Sequence, residues 1–180
     1  KIQHFPSVPR LGESEDHRYA GNAERRKNRT LGGCVMKVSV KKLNDRAVVP
    51  TYGSPFSAGG DLYSAEESEV VIGPGKTAMI GTGLAMEIPE GYVGLVYARS
   101  GLATKRGLAP ANKVGVIDSD YRGEIKVALY NQSDAPQAVA AGERIAQIVI
   151  APFLHAEYEV KETLSDTERG EGGFGSTGRK

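Results

Sequence analysis

Residues 69–98 read EVVIGPGKTAMIGTGLAMEIPEGYVGLVYA. Three apolar runs, Glu69–Ile72, Ala78–Ile88 and Tyr92–Ala98, are separated by Gly73-Pro74-Gly75 and Pro89-Glu90-Gly91. Val, Ile and Tyr favour a pleated, half-buried surface, and Gly and Pro sit where the chain must turn back. Short runs at this spacing predict an all-β sandwich or barrel. The same texture extends outward in both directions. MKVSVKKL at 36–43 alternates like a strand, and Glu124–Tyr130 and Arg144–Ile150 are further runs. With 23 glycines and no long helical periodicity, little competes with that reading. One helix is expected at Ser100–Lys105, where Arg-Ser-Gly precedes Leu-Ala-Thr-Lys.

The texture changes at Met36, which reads as a natural start. Residues 1–35 hold seven Lys/Arg and four acids, hence net +3, whereas 36–180 hold 16 basic and 18 acidic residues, hence net −2. A charge-rich, apolar-poor stretch buries too little to fold, so 1–35 is expected to be a disordered extension. An organelle-targeting leader is the alternative, and Glu13, Glu15, Asp16 and Glu24 argue against it. Residues 36–168 read as one domain and 169–180 as a Gly-rich arm.

Composition narrows the function. The 39% hydrophobic content is enough for one core. The folded part is not basic, so no nucleic-acid partner is expected. No apolar run reaches the ~18 residues of a membrane helix, so no membrane partner is expected either. Cys34 stands alone, which excludes an internal disulfide and suggests a reducing, cytoplasmic setting. His4, His17 and His155 are scattered and form no zinc spacing.

Five segments could carry chemistry. RGEGGFGSTGRK at 169–180 combines glycines, the hydroxyls of Ser176 and Thr177, and Arg169, which together suit a phosphate. Phe174 within it could stack on a base. The tail also nearly matches a P-loop, but Arg179 stands where Lys is required and no helix follows. Arg99 and Ser100 sit at a strand-to-helix junction, where an Arg fork suits a phosphate and a capping serine is the plainer alternative. Gly115–Glu124 looks like a hairpin with Asp118, Asp120 and Tyr121 at its bend. Acids there either bond their own turn or activate a water. Asp61 follows two glycines, and Gln147 interrupts an apolar strand, on its wet face or facing a polar pocket.

Taken in order, AGGDLYSA (58–65), ARSGLA (98–103), GVIDSDYRGEIKV (115–127), GERIAQIVI (142–150) and RGEGGFGSTG (169–178) closely resemble the five signature motifs of the trimeric dUTPase family. The resemblance covers residues 36–180. It implies a distorted jelly-roll β-barrel, a homotrimer with active sites at subunit contacts, a flexible C-terminal arm and Mg2+ as cofactor. The implied activity is hydrolysis of dUTP to dUMP and pyrophosphate. Asp118 would orient the attacking water, and Tyr121 would pack on the deoxyribose where a 2′-OH has no room. Asn112 would read the uracil, with Gly115, Val116, Ile117 and Lys126 as further substrate-binding residues. Arg99, Ser100, Gly101 and Gln147 would hold phosphates. Arg169, Ser176 and Thr177 would bind the γ-phosphate, with Phe174 capping the uracil and Gly175 beside it. Asp61 would meet the metal through water.

Two departures from the family pattern affect no ligand: Ala98 stands where Pro is common, and Gly60 where a larger residue is usual. A dCTP deaminase of the same fold is the nearest rival, but that family's strand Glu corresponds here to Ala128. A nucleotide-sensing regulatory trimer is the third reading, and the presence of Asp118 and the arm weighs against it.

Overall fold

The computed structural model describes residues 36–173; residues 1–35 and 174–180 lie outside the described residues. The readings of 1–35, Phe174, Gly175, Ser176 and Thr177 therefore concern residues on which the structure is silent.

Glycine and proline end the strands where the sequence places them. Gly75 and Gly91 take positive φ (+65° and +82°), and Tyr92 N–H donates to Pro89 O at 3.1 Å to close the second turn. The strands so bounded are β1 (Ser39–Lys42), β2 (Thr51–Tyr52), β3 (Gly60–Tyr63), β4 (Val70–Ile72), β5 (Thr77–Gly81), β6 (Leu84–Glu87) and β7 (Tyr92–Tyr97). After the helix α1 (Ser100–Arg106) come β8 (Leu108–Pro110), β9 (Gly115–Ile117), β10 (Lys126–Asn131), β11 (Gln137–Val139) and β12 (Arg144–Pro152). Every pairing among the described residues is antiparallel. The largest sheet has the order β2-β3-β12-β7-β9; the others are β5-β10-β8, β1-β6 and β11-β4. Neighbours distant in sequence, such as β3 and β12, give the crossed connectivity of a jelly-roll barrel.

The sheets share one core. Leu62, Ile72, Ile80, Leu84, Leu108, Ile125, Leu129 and Ile145 are fully buried within it. On β10 the inward positions are Val127, Leu129 and Asn131. Asn131 is tolerated there because all its groups are met. Its Nδ2 donates to Ile72 O and Ala135 O, both at 2.8 Å, and its Oδ1 accepts from Ser133 N and Oγ. Truncating Leu129 to Ala would cost about 2–5 kcal/mol.

Two expectations need correction. Ala78–Ile88 is not one strand but β5 and β6, in different sheets. Gly83, at φ +64°, and Thr82, whose Oγ1 donates to Ile125 O at 2.6 Å, turn the chain between them. Gly115–Glu124 is not a hairpin. β9 pairs with β7 and β10 with β5 and β8, because the backbone of Ile125 is taken by the β5–β6 corner through Thr82 N–H and Leu84 O. No helix among the described residues is long and apolar enough to cross a membrane.

Candidate active site

The central strands of the large sheet carry one polar row. Asp61 on β3 faces Gln147 on β12, which faces Tyr97 on β7. Directly opposed residues share a face of the sheet, so these three side chains point the same way. Gln147 Nε2 donates to Ala98 O at 2.8 Å, so it faces the polar cleft rather than open water. Gly59 makes room for it: a Cβ there would overlap Gln147 Oε1. Asp61 is nearly buried and accepts from Arg99 Nε (2.7 Å, Oδ1) and from Arg144 Nη1 (3.1 Å, Oδ2). Asp61, Arg99, Ser100, Gly101, Arg144 and Gln147 line a cleft of about 750 Å³. Arg144 was not singled out in the sequence.

Helix α1 opens on this cleft. Its N-cap is Arg99, in extended conformation, with no side chain capping the first turn. The capping-serine alternative for Ser100 is therefore not realised. Gly107 closes the helix in the left-handed region (φ +66°), its amide bonded to Ala103 O and Leu102 O.

A second group of predicted residues lies elsewhere. Val116, Ile117, Asp118, Tyr121 and Lys126 line a cleft of about 520 Å³ with Met79 and Glu124. Asp118 is exposed, and its carboxylate has no hydrogen-bond partner among the described residues. Its backbone O accepts from Tyr121 N at 3.2 Å, which makes the bend. Tyr121 folds back over Gly123 and donates its hydroxyl to Glu124 O at 3.0 Å. Beside this cleft, Asn112, Gly115, Val116, Ile117, Lys126 and Ala128 line a narrow space of about 160 Å³. It opens where β8 and β9 part. Among the described residues β8 pairs only with β10 and β9 only with β7, so the facing backbone edges have no strand partner there. Such edges present free N–H and C=O groups.

The two groups sit at opposite ends of β7. Ile117 pairs with Gly94, so Asp118 lies level with Val93 near the start of that strand, whereas Arg99 lies beyond Tyr97 at its end. Val93 to Tyr97 alone spans roughly 13 Å at strand rise. Asp118 and Arg99 of one chain thus line separate clefts. Arg169 lines neither cleft; its Nε donates to Gly172 O at 2.7 Å in an exposed turn.

No group of three or more His, Cys, Asp or Glu that could hold a metal occurs among the described residues. Asp61 fits a hydrated Mg2+ carried by phosphates, since that ion keeps several waters and needs one or two carboxylates. It does not fit direct coordination, because both its oxygens are engaged by arginines.

Residues 45–178 match the dUTPase family. This chain belongs to the dUTPase family. Deoxyuridine 5′-triphosphate nucleotidohydrolase of Nautilia profundicola is 54% identical over 80% of this chain and 100% of its own length. That of Syntrophotalea carbinolica is 48% identical over 78% and 96%. A mutant dUTPase of Staphylococcus bacteriophage 80alpha, solved with dUpNHpp, superposes with a TM-score of 0.71 at 34% identity, covering 80% of this chain and 99% of that one. A mutant dUTPase from phage phi11 of S. aureus, whose structure details the coordination of a structural Mg(II) ion, gives 0.63 at 30% identity over 71% and 98%. The dUTPase barrel is thus shared along almost the whole of these relatives.

Proposed function

We propose that this chain hydrolyses dUTP to dUMP and pyrophosphate, in the cytoplasm, as a homotrimer whose active sites are shared between subunits. The observation that carries the reading is the unpaired β8–β9 edge beside Asp118 and Tyr121. A strand-like edge offers backbone donors and acceptors to the O2, N3–H and O4 of uracil. Cytosine has the inverted pattern and would leave buried groups unpaired. Asn112, Gly115, Val116, Ile117 and Lys126 surround that position. Tyr121 walls the sugar against a 2′-OH.

From the uracil position the α-phosphate falls near Asp118. The carboxylate holds a water in line and takes its proton as the oxygen adds to the α-phosphorus. The bond from that phosphorus to the α,β-bridging oxygen breaks, and pyrophosphate carries the electron pair away. Arg99, Ser100, Gly101 and Gln147 hold the phosphates, and they belong to a neighbouring subunit because one chain separates them from Asp118. Asp61 would face the hydration shell of a Mg2+ ion, which would supply charge neutralisation at the phosphates. Residues 36–168 form the catalytic barrel. Residues 169–180 form an arm that brings Arg169, Ser176 and Thr177 to the γ-phosphate and lays Phe174 and Gly175 at the uracil, excluding water as it closes.

Deamination has no support at this site. Ala128 lies where a strand carboxylate would be needed, and Glu124 is committed to Gly83 N–H (2.9 Å) and Lys126 (3.3 Å). The deciding assay is pyrophosphate release from dUTP, dCTP, dTTP and UTP with Mg2+, with products identified. Selective formation of dUMP from dUTP is expected. Conversion of dCTP to a uracil nucleotide, or no turnover of dUTP, would sink the reading.

A further inference from the structure

We propose that Arg144 is a second polyphosphate-binding arginine, and that Asp61 fills the anion position between Arg144 and Arg99 until substrate takes it. The inference rests on the dUTPase reading of this cleft and adds a residue and a partner exchange to it.

The first observation is a bulge. Arg144 and Gln147 are three residues apart, and a regular strand would send them to opposite faces. The register shows otherwise: Arg144 pairs with Tyr63 and Ala146 with Leu62, so three residues of β12 match two of β3. The extra residue is Ile145, and Ile145 and Ala146 are consecutive buried positions. One inserted residue restores parity, and Arg144 joins Gln147 and Asp61 in the cleft. A bulge that re-aims one side chain beside a site is a local departure with a local consequence.

The second observation is how Asp61 is held. Its two oxygens take one N–H each from two guanidinium groups, which would repel one another without an anion between them. Arg99 gives only Nε and Arg144 only Nη1 to this contact, out of five donors on each group. The remaining donors meet no other partner among the described residues, and the Arg144 side chain is half exposed toward the cleft. Lys105 lines the same cleft. Glu143 also lines it, but its carboxylate is occupied by Arg106 and by Ala140 N–H. The balance is an excess of positive charge arranged around one resident carboxylate. A polyphosphate offers both arginines the bidentate acceptor that Asp61 now provides. On exchange, the carboxylate becomes available to the hydrated cation.

A purely structural role for the triad, tying β3 to β12, predicts that losing either partner harms binding alike. The exchange predicts opposite signs. Inorganic tripolyphosphate, titrated by calorimetry into the full-length protein with chelator present, reads this without metal or turnover. Arg144→Gln should weaken binding roughly tenfold or more. Arg144→Lys should fall between, since it keeps charge but not the fork. Asp61→Asn should tighten binding severalfold, because the internal competitor is gone. Thermal melting of each variant separates folding from binding, and the Arg144 pair carries the test should Asp61→Asn melt early. Unchanged affinity in Arg144→Gln, or weakening in Asp61→Asn, overturns the proposal. Failure of the functional reading looks different: tripolyphosphate binds with the expected order of variants, yet the unmodified protein releases no pyrophosphate from dUTP.

Discussion

The two ends of β7 are built on opposite plans. At the Tyr97 end, Asp61 is held by Arg99 and Arg144 at 2.7 and 3.1 Å, Gln147 donates to Ala98 O at 2.8 Å, and a glycine is kept free of a Cβ so that Gln147 fits. At the Tyr92 end, Asp118 is exposed without a side-chain partner among the described residues, and Tyr121 rests on one hydroxyl bond. The difference matches the two tasks assigned. A polyphosphate is a dense charge, and it is met best by cations fixed before it arrives. A carboxylate that activates water must be reachable and must keep its lone pairs free. An open strand edge likewise waits for a base to complete it. In the proposed mechanism, preorganisation is concentrated where charge is handled, and accessibility where bonds change.

The comparison breaks most visibly if one lesion is placed at each end. Asp118→Asn keeps shape but loses basicity, and should lower turnover roughly a hundredfold or more with dUTP binding largely kept. Arg99→Gln should lose activity through the other end. If each site takes Asp118 from one chain and Arg99 from another, mixed trimers of the two variants regain about a quarter of their sites on random exchange. Activity is measured after unfolding and refolding the mixture, with exchange confirmed by a mass-tagged chain. A mixture as inactive as its parents, with exchange confirmed, places both residues in a one-chain site.

Much of this was legible in the sequence, and what was not has a physical cause. The turns at Gly75 and Gly91 and the helix after Arg99 are local matters, settled by residues within a few positions. The dUTPase likeness was likewise legible, because each motif is a contiguous run. The split of Ala78–Ile88 was hidden, since Thr82 turns the chain by bonding a residue 43 positions away. The supposed hairpin at Gly115–Glu124 failed for the same reason: its turn residues were read correctly, but the partners of each arm are non-local. Arg144 escaped notice because strand periodicity puts it opposite Gln147. Only the two adjacent buried positions, Ile145 and Ala146, hint at the bulge. The two glycines before Asp61 are ordinary turn residues, yet Gly60 already belongs to β3.

The open end can be sharpened on its own. Tyr121→Ala should lower the preference for dUTP over UTP by roughly tenfold or more, as the 2′ position opens. Gly123→Ala should do part of the same with residue 121 unchanged, because the added Cβ overlaps the Tyr121 hydroxyl and ring edge and must push them aside. The ratio of kcat/KM for the two nucleotides is the measurement. A Gly123→Ala protein with unaltered selectivity would mean that the Tyr121 pose seen over Gly123 is not the one that meets the sugar.

The smallest effect is expected from the largest deletion. Residues 1–35 carry seven basic and four acidic side chains and few apolar ones, a composition with little to bury. The first strand begins only at Ser39, and its pairing, Ser39 with Glu87 through Lys42 with Leu84, uses nothing upstream of it. Neither end of β7 draws a residue from 1–35 in the proposed mechanism. A chain beginning at Met36 should therefore keep its melting temperature, its oligomeric state and its kcat/KM for dUTP at low salt. Low salt is the stringent condition, because the net +3 of the removed segment could act on a polyanion only through long-range attraction, which is screened beyond about 10 Å at 0.1 M salt. A drop in kcat/KM at low salt that vanishes at high salt would assign the segment a steering role. A lowered melting temperature at any salt would show instead that it packs on the barrel.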